Sequence, residues 1–163
     1  MISPGVSVLQ RIEKHARERP HRIAAVCGAQ SITYGDLNRR ADALAGRLRA
    51  EGIGRDTLVG VAVERSIGMV VALAATWKAG GAYVPLDPAY PQARLAFMLE
   101  DAGVTVLVTQ RDLAPRFDAC GRLLVFVDDE HPEAAINCGP SPTGMSVTSA
   151  QSTGRISIMR ARR

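Results

Sequence analysis

The chain has 163 residues, 47% of them hydrophobic and 22% charged, with a formal net charge of +4. That balance suits one soluble domain and excludes wholesale disorder, a collagen-like repeat or a coiled coil. The basic surplus is confined to the last nine residues, where Arg155, Arg160, Arg162 and Arg163 stand without an acid; the other 154 residues carry 16 basic and 16 acidic side chains, so no nucleic-acid partner is expected.

Val8, Ile12, His15 and Ala16 recur at helical spacing and predict an amphipathic helix over about residues 6–18, stopped by Pro20. Ile23–Cys27 and Ser31–Thr33 read as a hairpin around Gly28-Ala29. Thr33 and Asp36, three residues apart, have the form of a capping box at the head of a second helix. Leu37, Ala41, Leu44, Ala45 and Leu48 make its apolar stripe, and Gly52 ends it.

The run Thr57–Val63 is apolar almost throughout, as strands covered on both faces are. Ser66 is placed to cap the next helix, whose residues Ile67–Trp77 are apolar nearly all round. Lys78 and Gly80 supply favourable ending chemistry. Ala82–Leu86 reads as another buried strand, Asp87-Pro88 as a turn, and Pro91 as the first position of a helix carrying Leu95, Met98 and Leu99. Val104–Thr109 and Leu123–Val127 are two more strands. Strand and helix alternating with short links predict parallel βαβ units: an α/β fold with a partial Rossmann-like sheet flanked by helices over residues 7–128. From residue 129 apolar periodicity gives way to Pro, Gly, Ser and Thr, so 129–163 reads as a flexible, basic-ended tail.

Cys27, Cys120 and Cys138 form no CxxC pair and have no histidines at ligand spacing, which argues against a disulfide framework or a zinc site. The N-terminus lacks the long apolar core of a signal peptide, and the most apolar stretch, Ile67–Trp77, is too short to span a bilayer. A cytoplasmic protein with reduced thiols and no membrane partner is expected.

Few residues invite a chemical reading. Glu64-Arg65-Ser66 follows a predicted strand at the end where open α/β sheets bind ligands, and a helix start there could hold an anion. A plain helix cap with solvated charges accounts for the same residues. His15, His21 and His131 are scattered, and Cys27 fits a buried strand position. No catalytic, cofactor-binding or metal-binding residue is assigned.

Two motifs carry a family resemblance. Ile32-Thr33-Tyr34-Gly35-Asp36-Leu37-Asn38 and Trp77-Lys78-Ala79-Gly80-Gly81-Ala82-Tyr83-Val84-Pro85-Leu86-Asp87-Pro88 resemble the first and second core motifs of amino-acid adenylation domains of non-ribosomal peptide synthetases, within the adenylate-forming superfamily. Tyr90-Pro91, Arg94, Met98-Leu99 and Asp101-Ala102 follow in matching order, and the resemblance covers about residues 7–128. It implies the N-terminal part of the adenylate-forming fold. The parent reaction it implies joins ATP and an amino acid into aminoacyl-AMP, with Mg as the accompanying ion. Transfer to the phosphopantetheine thiol of a carrier protein follows, with the remaining synthetase domains as further partners.

Yet each motif residue also has a structural reading: Thr33 and Asp36 cap, Gly80-Gly81 closes a helix, Asp87-Pro88 turns. The family holds ATP phosphates in a later loop of the form TSGSTGxPKG. The segment here that resembles it, Ser152-Thr153-Gly154-Arg155, has Gln151 before it and Ile156, Ser157 and Ile158 where Pro, Lys and Gly belong. The expectation is a truncated adenylation-domain piece, inactive alone and itself binding no cofactor. A non-catalytic α/β interaction module and a fragment of an acyl-CoA ligase are the alternatives.

Overall fold

The computed structural model describes residues 7–117 and 121–128, together with the backbone of Ala135–Asn137. Helix α1, Val8–Glu18, opens on a complete capping box: Gln10 N–H donates to Ser7 Oγ at 3.1 Å, and Ser7 N–H donates to Gln10 Oε1 at 2.9 Å. Strands β1, Ile23–Cys27, and β2, Gln30–Thr33, form the expected antiparallel hairpin.

Helix α2, Tyr34–Ala50, starts at Thr33, whose Oγ1 accepts the Asp36 N–H at 3.1 Å. The reciprocal half of the expected box does not form. The aspartate is one methylene shorter than glutamate, and its carboxylate accepts a hydrogen bond from the Thr33 hydroxyl at 2.9 Å and pairs with Arg39 at 2.8 Å. Leu37, Ala41, Leu44, Ala45 and Leu48 are all buried, as the stripe predicts.

Strand β3, Leu58–Ala62, leads to helix α3, Ile67–Ala79, strand β4, Ala82–Pro85, helix α4, Gln92–Asp101, and strand β5, Val106–Thr109. A 3-10 helix at Arg111–Arg116 and strand β6, Leu123–Phe126, follow. The sheet order is β4-β3-β5-β6-β7, parallel from β4 to β6. Strand β7, Ala135–Asn137, was not anticipated in the polar segment after 129; it pairs antiparallel with β6.

Alternation along the central strands sorts the core into two faces. Val59, Val61, Val106, Val108 and Val125 join the buried stripes of α2 and α3. Ala62, Leu107, Leu124 and Phe126 join Leu95 and Leu99 of α4 and the fully buried Phe117. Successive residues of a strand point to opposite faces, so a continuous apolar run is what a doubly covered strand requires.

Helices α2, α3 and α4 end alike. Gly52, Gly80 and Gly103 have φ of +83°, +91° and +61°, and the next residue's N–H returns to Leu48, Thr76 and Leu99 carbonyls at 3.0, 3.1 and 3.0 Å.

Candidate functional site

Open α/β sheets bind ligands beyond the carboxyl ends of the strands where strand order reverses. Here the chain runs β3 to β4 on one side and returns over α4 to β5 on the other, so the reversal lies between β3 and β5. Two hydrogen bonds join its walls. Glu64 N–H donates to Gln110 Oε1 at 2.8 Å, and the buried Thr109 hydroxyl donates to Ala62 O at 2.8 Å. Beside it, Arg111 N–H donates to the Asp128 carboxylate, at 3.2 Å to the nearer oxygen, and its guanidinium lies 4.8 Å over the Phe126 ring.

The Glu64-Arg65-Ser66 segment is tied up as well. Ser66 stands at the head of α3, but its hydroxyl donates to Glu64 O at 3.1 Å instead of accepting an α3 amide, so the expected side-chain cap is absent. Cys27 Sγ donates to Arg65 O at 3.6 Å. A Cβ on Gly68 would lie 3.2 Å from Val127 Cγ1, so the first turn of α3 packs closely on the residue that follows β6. Exposed charges and a helix start describe these residues.

The motif residues take up architectural positions. Gly35 N–H donates to Pro20 O at 2.9 Å, and a Cβ there would lie 3.1 Å from the same carbonyl oxygen. A Cβ on Gly81 would stand 2.9 Å from Ile53 Cγ2 and 3.2 Å from Thr57 O. Asp87 accepts the Ala89 N–H on its side chain at 2.9 Å and the Tyr90 N–H on its carbonyl at 3.0 Å, which makes the expected turn. Pro91 precedes α4, and its carbonyl accepts from Arg94 and Leu95.

A cleft of about 700 Å³ opens instead at the outer strand β4, between Met69 and Leu73 of α3 and Arg94 and Met98 of α4, with Tyr83 and Tyr90 among its walls. Arg94 stacks 4.2 Å over the Tyr90 ring. The cleft is largely apolar, with Glu64, Arg65 and Asp87 at its edge. These groups suit surface contact and contain no nucleophile with an adjacent base.

Elsewhere, His15 packs against Tyr34 with ring centroids 4.9 Å apart, His21 is exposed, and Cys27 is half-buried. Among the described residues no three His, Cys, Asp or Glu side chains gather as a metal site, and no helix is long and apolar enough to cross a membrane. His131, Cys120, Cys138 and the Ser152-Thr153-Gly154-Arg155 segment lie outside the described residues.

Sequence reasoning missed one cluster. Lys78 leaves the helix end it was expected to complement; its Nζ lies 3.1 Å from Glu13 Oε1 and 2.6 Å from Asp42 Oδ1, with the side chain only 6% exposed. Arg49 takes over at the α3 terminus, its Nη2 donating to Lys78 O at 2.6 Å. A signal was available: Lys78 is one of two lysines among 20 basic residues and the sole charge in α3.

Comparison with known proteins matches residues 12–150 to the family of AMP-binding enzymes. A linear gramicidin synthase of Brevibacillus parabrevis is 50% identical over 119 residues, covering 73% of this chain and 2% of that protein. Tyrocidine synthase 3 of the same organism is 48% identical over 121 residues, which cover 74% of this chain and again 2% of the relative. The nonribosomal peptide synthetase FmoA3, in its alpha-methyl-L-serine-AMP-bound form, superposes with a TM-score of 0.74 at 32% identity, over 88% of this chain and 16% of that one. An o-succinylbenzoate coenzyme A synthetase of Bacillus subtilis shares the fold with a TM-score of 0.65 at 24% identity, over 77% of this chain and 33% of that one. The chain thus spans a small fraction of the relatives it matches, and it belongs to the AMP-binding enzyme family, as an N-terminal segment of the adenylation domain of non-ribosomal peptide synthetases.

Proposed function

We propose that this chain supplies the N-terminal α/β layer of a domain that activates an amino acid with ATP and Mg and passes it to a phosphopantetheinyl carrier protein in the cytoplasm. The supporting observation is that the first core motif joins the hairpin to α2 and the second joins α3 to β4 of the parallel sheet, within a segment 50% identical to a peptide synthetase. The likeness to the o-succinylbenzoate coenzyme A synthetase, at 24% identity, extends to the fold alone. Alone, the chain performs neither half of the reaction, because Gln151, Ile156, Ser157 and Ile158 stand where the family's phosphate loop has Gly, Pro, Lys and Gly.

Exchange of labelled pyrophosphate into ATP tests this reading. The purified chain is expected to give none with any amino acid. Residues 7–128 grafted in place of the corresponding segment of an active synthetase are expected to retain exchange with that synthetase's amino acid. Exchange by the chain alone, or a folded graft without exchange, overturns the proposal.

A further inference from the structure

Helix α1 packs on α2 and touches α3, with its inward side chains only half-buried. None of its residues is buried, and Ile12 is the α1 side chain packed against the larger core. His15 adds its ring to Tyr34, while its buried Nδ1 has no hydrogen-bond partner among the described residues, a cost set against that packing. Against these stands the Lys78 ammonium, shielded from solvent between Glu13 of α1 and Asp42 of α2. The second Asp42 oxygen accepts from Asn38 Nδ2 at 2.9 Å. Asn38 closes the first core motif and Lys78 belongs to the second, so the two motifs meet at one carboxylate, and Glu13 brings α1 to the same point.

A shielded ammonium needs an anionic partner, and removing every partner is costly. Asp42 remains with Lys78 whether or not α1 is seated, so the ammonium stays paired when Glu13 departs. Glu13 is one-third exposed and regains water on leaving. An element with no fully buried residue, joined to α3 among the described residues by the Glu13–Lys78 pair, lies at the low end of local stability. We propose that α1 is a strap latched to the α2–α3 pair through Glu13 and Lys78, which opens as a unit while the parallel sheet stays folded. The proposal does not rest on the adenylation reading.

Native-state hydrogen exchange on the full chain tests it, reading α1 amides apart from those of β3 and β5. Glu13→Lys sets a like charge against Lys78 and is expected to lower α1 protection about tenfold or more, with β3 and β5 unchanged. Glu18→Lys makes the same charge change in the same helix but touches only the exposed Lys14–Glu18 contact of 3.9 Å. It is expected to leave α1 protection within about twofold. Glu13→Gln, which introduces no repulsion, is expected to fall between the two. The strap is disproved if wild-type α1 exchanges only together with the sheet, if the two lysine variants behave alike, or if Glu13→Lys loosens β3 and β5 as much as α1.

Discussion

Thr33 and Asp36 show how one short side chain redirects a motif. The Thr33 hydroxyl accepts from the Asp36 amide and donates to the Asp36 carboxylate, so a single oxygen serves both backbone and side chain. That hydrogen bond, with Arg39 behind it, holds the Asp36 carboxyl below the ordinary carboxylate range. A lowered folded-state value stabilises the protein above the unfolded value, near pH 3.9, and that contribution is lost as pH falls through the folded one. Thr33→Val removes the hydroxyl at similar volume. It is expected to cost α2 about 1 kcal/mol in urea unfolding and to move the Asp36 titration upward, as followed by NMR. An unmoved Asp36 midpoint would assign the lowering to Arg39 instead.

Helix endings set the connections on which the larger motif depends. Gly80 turns left-handed, and Gly81 then passes so close to Ile53 and the Thr57 carbonyl that a methyl group has no room. Gly81→Ala is expected to destabilise by about 1–3 kcal/mol, since a backbone atom is one of the neighbours that must yield. Gly46, inside α2 with nothing within 4 Å of a Cβ, predicts the opposite: Gly46→Ala is expected to stabilise by about 0.5–1 kcal/mol. Thermal melts of the two variants against the parent chain give both signs directly.

Much of this architecture was legible in the chain. Apolar runs located β3, β5 and β6, the 3.6-residue stripe located α2, and Gly52 and Gly80 located helix ends. What escaped depends on partners distant in sequence. Lys78 looked like a last-turn cation until α1 and α2 brought carboxylates to it, and nothing local marks Gln110 as the partner of the Glu64 amide 46 residues earlier. Ser66 carried every local sign of a cap, yet its hydroxyl found the Glu64 carbonyl within hydrogen-bond reach. Strand β7 gave no periodicity to read, because three residues are too few to display one and backbone pairing with β6 defines them.

At the scale of the molecule, the two cores share a single sheet. Leu107 illustrates the coupling: it is fully buried on the α4 face, and its Cδ1 would lie 2.7 Å from a Cβ on Gly60, so a leucine fills the space that a glycine leaves. On the opposite face, α3 carries Trp77, the chain's single tryptophan, 5.9 Å from the Tyr83 ring of β4. Strand β3 pairs with both β4 and β5, so loosening one face strains the ladder that supports the other. Leu107→Ala opens a cavity beside Gly60 and is expected to cost about 2–5 kcal/mol. Because the faces are joined through β3, that loss is expected in full in the urea transition reported by Trp77 fluorescence. A Trp77 transition unmoved by Leu107→Ala would mean that the α3 face unfolds independently of the α4 face, and that β3 does not couple them.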